Sequence, residues 1–472
     1  MQHDYHNNYE KTKTGKTPKL KMTEKLTFGV GDFGANFSWT FIASFVIIYM
    51  TDTVGMGAGI IGTLILIARF ADGFTDFFMG SVIDNMHPKM GKAKPWVFWT
   101  APVLGVLTFM LFNVPASLGG SGQIIYVFAV YLLISAVFYT ANNVAYSSLT
   151  SFMTNDQKDR VALGSIRFIF ANVAVLSINA GTTVLVNFFG DGQQGWTYTA
   201  AIFSLLCVLP LMYTGRFVKE RNVAEKREED KGSFRFLPIL KALFTNKYFL
   251  LAFALYLFWY LRQTENGIRV YYATYIFDNE NLVGILSAAS LTPLIVGLFF
   301  APTIAGKFGV RKSVNAGLLI SLLGSGVMML FSENLIGLIV GTVINAIGLV
   351  ALQAALSAIV ADVGDIVYWK SGVPVQGSVF SLSSAGMKIG QGLTAALVGW
   401  SLQLGNYAAN ADTQPDSATF AMKAMLIYFP LLVIIIMFII MIFLNYEKLI
   451  PKVRKDIQED KVGEDRTKHF ER

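Results

Sequence analysis

The sequence predicts an all-α integral membrane protein with twelve transmembrane helices. Of its 472 residues, 54% are hydrophobic and only 15% are charged, against about 25% charged in an average soluble domain. Twelve largely apolar runs have the length of a membrane span, about 20 residues each. The net charge of +7 lies mostly between and outside these runs, where it sets orientation in the membrane. The composition therefore argues against a water-soluble enzyme and against a nucleic-acid partner.

The apolar runs are interpreted as helices because an open sheet cannot satisfy its edge hydrogen bonds inside lipid. The breaks between the runs carry turn-forming and polar residues, as in 115–122, 190–195 and 405–417. The twelve runs begin near Leu26, Ala58, Pro95, Ile124, Ala162, Trp196, Lys247, Leu282, Ser313, Asn334, Gly377 and Thr419.

The basic residues between the runs indicate the orientation. If the amino terminus is inside, none of the outer loops contains a lysine or arginine, whereas the inner loops carry them within 89–94, 158–160, 216–231 and 307–312. The positive-inside rule then gives a multi-pass plasma-membrane protein with both termini in the cytoplasm. The single cysteine and four histidines show no metal-ligand spacing, so no cofactor or metal is expected apart from a bound monovalent cation.

The longest inner loop divides the chain into two halves of six helices. We expect a cytoplasmic amino-terminal segment (1–25), a first six-helix bundle (26–218), a cytoplasmic linker (219–243), a second bundle (244–446) and a cytoplasmic tail (447–472) that is a solvated helix or disordered. A six plus six plan with a basic linker is the arrangement of major facilitator transporters.

Two aspartates in the second run are candidates for cation binding. Asp72 and Asp76 are four residues apart on one helical face, with Arg69 one turn earlier. Repulsion and desolvation disfavour two ionised carboxylates there unless a cation neutralises the pair. That chemistry suits exchangeable binding of Na⁺ or H⁺. A structural ion pair between Arg69 and Asp72 is the alternative.

Polar side chains in the first and fourth runs are candidates for substrate binding. Amides beside aromatic faces suit a polyhydroxylated ligand, because hydroxyls need paired donors and acceptors while the sugar ring stacks on an aromatic. Polar contacts that pack helices are the alternative for each residue. The candidates are Asp32, Asn36, Tyr139, Asn142, Asn143 and Tyr146.

Further charges lie deep in apolar runs, where each one is costly. Arg167 lies in the fifth run, and Lys388, near the midplane of the eleventh, is placed to neutralise the aspartate pair when no cation is bound. In the seventh run Glu265 is expected to pair with Arg262 as a ladder. Arg269 then has no acidic partner in this run. A second interpretation is that Arg269 attracts an anionic substrate such as a hexuronide.

These motifs resemble the glycoside-pentoside-hexuronide:cation symporter family over about residues 24–446. The likeness follows the same order in both halves of the chain. It rests on Gly31-Asp32 with Asn36, Thr51-Asp52, 68–80, Asp84 with Gly91-Lys92-Ala93-Lys94-Pro95-Trp96, 143–146, Arg167, 361–365 with Tyr368-Trp369-Lys370, Gly377 and Lys388.

The resemblance implies roles for several residues. Asp72 and Asp76 resemble the family's cation ligands, Lys388 its coupling lysine and Arg167 its cavity arginine. The charged residues Asp84, Lys92, Lys94, Asp362 and Asp365 resemble its cytoplasmic gate. Where galactoside-carrying members have aspartates, this chain has Asn36 and Asn143, so the sugar specificity of those members does not transfer.

The expected function is cation-coupled symport of a glycoside, pentoside or hexuronide by alternating access. The sugar, its charge and the choice between Na⁺ and H⁺ stay open. The alternatives are a sodium-coupled lysophospholipid carrier of the same fold and a sugar sensor that does not transport. An integral-membrane enzyme is a third alternative, for which Asp72 and Asp76 are the only candidate catalytic residues. The expected partners are a small sugar, a monovalent cation and membrane lipid.

Overall fold

A computed structural model of the chain describes residues 19–85, 90–154, 156–221, 241–373, 375–411, 413–459 and 462–463. These residues form helices and loops, with no β-strand among them. The helices are α1 (Met22–Ile48), α2 (Ala58–Asn85), α3 (Lys94–Leu111), α4 (Gly119–Leu132), α5 (Thr140–Met153), α6 (Gln157–Phe188), α7 (Gly192–Phe217), α8 (Lys247–Leu261), α9 (Thr264–Tyr275), α10 (Leu282–Phe308), α11 (Val310–Leu330), α12 (Leu335–Ser371), α13 (Gln376–Leu404), α14 (Asp416–Lys423), α15 (Phe429–Phe443) and α16 (Ile450–Gln458).

Among the described residues, three short π-helical segments extend or interrupt the longer helices. They are Tyr49–Thr53 after α1, Leu133–Tyr139 between α4 and α5, and Ala424–Tyr428 between α14 and α15. Each has about one extra residue per helical turn and continues the helix before it. The second and third segments also connect two α-helices into one continuous span. Within the described residues, nine helical runs are long and apolar enough to cross a membrane. The other predicted runs are helical as well, as α2, as α8 followed by α9, and as α13.

The seventh predicted run differs from the expectation of a single helix, since it is broken between α8 and α9. Arg262 caps α8, and Thr264 begins α9. The hydroxyl of Thr264 donates 2.7 Å to the carbonyl oxygen of Met425, in the third π-helical segment. The same hydroxyl lies 3.4 Å from the carbonyl oxygen of Arg262, so Thr264 contacts both the end of α8 and the neighbouring π-helical segment at the break.

The described residues group into two units. The first draws its residues from Met1–Ile42, Phe74–Ile178 and Leu185–Arg227, and the second from Ala43–Gly73, Asn179–Val184 and Glu228–Arg472. In the first unit α3 packs along α7. An aromatic cluster fills the core there, with the rings of Phe41 and Phe112 stacked 3.9 Å apart.

In the second unit α11 and α12 approach each other closely through glycines. A Cβ added at Gly317 would lie 2.4 Å from the carbonyl oxygen of Gly348, and one at Gly324 would lie 2.3 Å from the backbone nitrogen of Asn345. Small residues that allow such contact drive helix association in lipid, where apolar burial does not. The amide of Asn345 donates 2.8 Å to Ser325 across the same interface.

The amino end of α1 is fastened to the start of α6 in the first unit. Asp159 accepts from the ammonium of Lys25 at 2.6 Å and from the backbone N–H of Leu20 at 2.9 Å. The hydrogen bond from Lys25 and then that from Leu20 lower the pKa of Asp159 below its ordinary value.

The carboxyl-terminal tail is helical at Ile450–Gln458, one of the two expected forms, but this helix packs against the second unit instead of being fully solvated. Helix α16 buries Ile450 and Val453 in the apolar core of the second unit. The indole N–H of Trp369, in α12, donates 3.0 Å to the carboxylate of Asp456. Apolar residues spaced three apart give this short helix a face that packs.

Candidate functional site

Three charged side chains from α2 and α13 meet in the second unit. The Lys388 ammonium lies 2.9 Å from Asp72 Oδ1, and a guanidinium nitrogen of Arg69 lies 3.6 Å from Asp72 Oδ2. Asp72 is only 2% exposed, and Lys388 and Arg69 are also buried. A carboxylate this deep needs compensation, and two cations from two helices supply it. Asp76 lies in α2, and its side chain falls outside the described residues.

The first unit holds a second polar site, built from α1, α5 and α6. Arg167 Nε donates 2.9 Å to Asp32 Oδ1, and the other guanidinium nitrogens donate to Ser147 at 3.1 Å and to Asn143 at 3.4 Å. The guanidinium also lies over the ring of Tyr146, 5.0 Å from its centre. One arginine thus gathers an acid, an amide, a hydroxyl and an aromatic face.

Asn36 and Tyr139 lie in the same unit. The Asn36 amide donates 2.8 Å to the carbonyl oxygen of Asp32, one turn earlier in α1. The ring of Tyr139 stacks on Trp39 with centres 4.3 Å apart. The sequence interpretation missed Trp39, although its position three residues after Asn36 places it near the same helical face.

Asn142 has a different environment from its neighbour Asn143. It is 1% exposed. Its amide donates 2.8 Å to the hydroxyl of Thr100 and 3.2 Å to the carbonyl oxygen of Val97, both in α3. These bonds pack α5 against α3, the alternative that the sequence left open, and its role in substrate binding stays a prediction.

The predicted pairing in the seventh run is present. Arg262 donates 3.0 Å to Glu265. Arg269, 5% exposed, donates instead to the hydroxyls of Ser287 at 3.1 Å and Ser290 at 3.3 Å in α10.

The predicted inner-gate residues divide between the two units. At the start of α3, the backbone N–H groups of Lys92, Ala93 and Lys94 donate to the carboxylate of Glu220, so this segment acts as an anion-binding nest. Asp84 lies in the last turn of α2 with its side chain outside the described residues.

In the second unit, Asp362 forms an ion pair of 2.9 Å with Arg454 of α16. Asp365 lies one turn further along α12 and is half-buried. Neither Glu220 nor Arg454 carried a signal in the sequence, since both contacts join segments far apart in the chain.

A further polar cluster surrounds Asp52 in the second unit. Its carboxylate accepts 2.6 Å bonds from the phenols of Tyr275 and Tyr407 and from the hydroxyl of Thr51. The Asn410 amide donates 2.7 Å to the Asp52 carbonyl oxygen. This cluster ties the end of the first span to α9 and to the loop after α13, at the ends where the outer loops are predicted.

Long apolar helices with charges paired deep inside them are typical of a multi-pass membrane transporter. The structure is similar to the crystal structure of the nucleoside transporter NupG, with a TM-score of 0.62, 15% sequence identity, and coverage of 89% of this chain and 99% of that one. The chain belongs to the MFS/sugar transport protein family, whose family model matches residues 27–448.

Curated relatives agree with this family. The chain is 27% identical over 447 residues to the isoprimeverose transporter of Lactiplantibacillus pentosus, an alignment that covers 93% of this chain and 92% of that protein. It is 28% identical over 442 residues to the putative glycoside/cation symporter YagG of Escherichia coli, with 90% and 92% covered. The resemblance to the glycoside-pentoside-hexuronide:cation symporters is confirmed, and the protein is a transporter rather than an enzyme.

Proposed function

We propose that the protein is a secondary active transporter that carries a glycoside, pentoside or hexuronide together with Na⁺ or H⁺ by alternating access. The fold proposed for it is two bundles of six helices, 26–218 and 244–446, in the plasma membrane with both termini cytoplasmic. The names of the relatives support sugar symport and do not favour the lysophospholipid carrier or the sensor.

The contact between Lys388 and Asp72 carries the proposal of coupling. At 2.9 Å the ammonium takes the place beside Asp72 that Na⁺ or H⁺ needs. A cation that neutralises Asp72 therefore competes with Lys388. The cation then binds more tightly to a conformation in which Lys388 has left Asp72, and this difference in affinity shifts the conformational equilibrium. In this scheme Asp76 completes the cation site, and the released Lys388 favours the next conformation of the cycle.

The polar site around Arg167 supplies groups suited to a sugar. Carboxylate and amide oxygens accept from sugar hydroxyls, guanidinium and amide nitrogens donate to them, and an aromatic face stacks on the ring. We assign substrate contacts there to Asp32, Asn36, Tyr139, Asn143, Tyr146 and Arg167. The cytoplasmic gate is assigned to Asp84, Lys92, Lys94, Asp362 and Asp365.

The driving force for such a cycle follows from the charge moved. One positive charge entering down a membrane potential of about 100 mV supplies about 2.3 kcal/mol. That free energy sustains a solute gradient of about fiftyfold. A cation gradient in the same direction adds to it.

The test is uptake by the purified protein in proteoliposomes. A neutral glycoside and a glucuronide are each offered with an inward Na⁺ gradient, an inward H⁺ gradient or neither. We expect one cation gradient to concentrate at least one sugar above its external level. The proposal is wrong if neither gradient raises accumulation above the level without a gradient for any glycoside, pentoside or hexuronide tested.

A further inference from the structure

The broken seventh span holds more positive charge than its own acid can balance. Arg262 and Arg269 are 6% and 5% exposed, and Glu265 lies between them in the chain. Glu265 pairs with Arg262. Within the part of the chain that the structure describes, Arg269 has no carboxylate within 4 Å and donates to two neutral hydroxyls. Hydroxyl oxygens solvate a buried guanidinium but do not cancel its charge.

A second feature of the same break also favours a negative group. The side-chain Nε of Arg262 is buried and has no hydrogen-bond partner among the described residues. Buried donors are nearly always paired, so one without a partner needs an explanation.

We infer that Arg269, with Ser287 and Ser290, forms a binding site for the anionic group of the transported solute, so that the substrate is an acidic sugar. The guanidinium fork matches a carboxylate or sulfonate with two parallel hydrogen bonds. The Ser290 hydroxyl donates 3.0 Å to the carbonyl oxygen of Ser287, and rotation about its C–O bond turns that hydrogen toward an anion at the guanidinium. Ser290 is only half-buried and leaves that side of the guanidinium less enclosed.

This inference rests on the proposed function and specifies its substrate class. One added negative group balances the excess charge of Arg262, Glu265 and Arg269. A neutral glycoside of the same shape leaves that charge buried without compensation. The residues of α9 and α10 therefore select acidic over neutral sugars by charge. The amides and phenols of the first unit bind the sugar hydroxyls and ring instead.

The experiment compares three methyl glycosides that differ only at the sixth carbon, a glucoside, a glucuronide and a 6-deoxy-6-sulfo-glucoside. Their initial uptake is measured in proteoliposomes under the gradient that drives the parent protein. For the parent we expect a lower KM for one or both acidic sugars than for the glucoside. The preferred acid distinguishes carboxylate from sulfonate as the ligand group.

Arg269→Gln is expected to raise the KM for the preferred acidic sugar by about ten- to hundredfold, the loss of one hydrogen-bonded charge. The KM for the glucoside should rise by a much smaller factor than the KM for the acidic sugar, because the glucoside has no charge for the guanidinium to bind. Arg269→Lys should recover part of the affinity, because it keeps the charge without the fork. The matched control is Lys247→Gln, which removes an exposed charge from the same span and should change neither KM.

Ser290→Ala provides a second test, since it removes only a hydroxyl and should raise the acidic KM by a few fold. Equal KM values for acidic and neutral sugars in the parent would overturn the inference, as would an equal loss for all three sugars in both Arg269→Gln and Ser290→Ala. Accumulation of the glucoside in the same vesicles tests the proposed symport separately from the anion site. If the parent concentrates only neutral sugars, the anion site is wrong while the proposed symport stands.

Discussion

Replacing Glu220 with glutamine tests how the start of α3 is held. The carboxylate accepts from the backbone N–H groups of Lys92, Ala93 and Lys94 at 2.7, 2.9 and 2.8 Å. A glutamine keeps one acceptor oxygen and turns an NH₂ group toward at least one of these donors. A hydrogen bond to a charged group contributes about 1.5–3 kcal/mol, and a negative charge at a helix amino end about 0.3–1 kcal/mol.

Because Glu220 is only half-buried, the expected loss is toward the low end, about 2 kcal/mol. For a folding unit of about 150–250 residues, a loss of about 2 kcal/mol lowers the melting temperature by about 4–8 °C. Thermal unfolding of the purified protein in detergent, followed by tryptophan fluorescence, measures the shift. The matched control is Lys219→Gln, since Lys219 is the exposed neighbour of Glu220.

A side chain added next to the Glu220 carboxylate should also destabilise the protein. A Cβ at Gly91 would lie 2.7 Å from the Glu220 carboxyl carbon, and the φ angle of +116° there suits only glycine. Gly91→Ala should therefore destabilise the protein as Glu220→Gln does. A parent-like melting temperature for Glu220→Gln, or an equal fall in Lys219→Gln, would refute the anchoring role of this carboxylate.

Three other predictions use the same purified protein. Tyr407→Phe removes one of the bonds to Asp52 and should lower stability by about 1 kcal/mol in thermal unfolding; an unchanged melting temperature would contradict the cluster. Asp159→Asn should destabilise at neutral pH, and because the folded-state pKa of Asp159 is lowered, the difference should begin to shrink near pH 4 and keep falling as the pH drops through the folded-state pKa, in melting curves taken between pH 7 and 3. Asn142→Ala should lower the melting temperature, whereas Asn143→Ala should mainly raise the KM for sugar uptake; the reverse pattern would exchange their roles.

The helical runs were predictable because lipid permits few alternatives to a helix. Composition indicates the spans, and the orientation drawn from the distribution of lysine and arginine stays a prediction. The break between α8 and α9 was not predicted as such, although the charges of Arg262, Glu265 and Arg269 mark the place. A window of apolar residues averages over a break only two residues long, at which Thr264 contacts Met425.

The candidate sites were predictable where the signal is local. Asp72 and Lys388 each stand out as a charge in an apolar run, so both could be named before their contact was known. The partners of Asp52 could not be named in this way, because Tyr275 and Tyr407 lie 223 and 355 residues further along the chain. Asn142 and Asn143 differ by one position, and only packing decides which of them faces α3.

The decisive measurement concerns competition between the cation and Lys388 for Asp72. In proteoliposomes, Asp72→Asn should lose concentrative uptake under a Na⁺ or H⁺ gradient, because the amide takes up no proton and has no negative charge to attract Na⁺. It should still exchange labelled for unlabelled sugar across the membrane. The control is Asp278→Asn, the same change at an exposed loop position, which should concentrate sugar as the parent does. Gradient-driven accumulation by Asp72→Asn at the parent level would contradict coupling through this carboxylate.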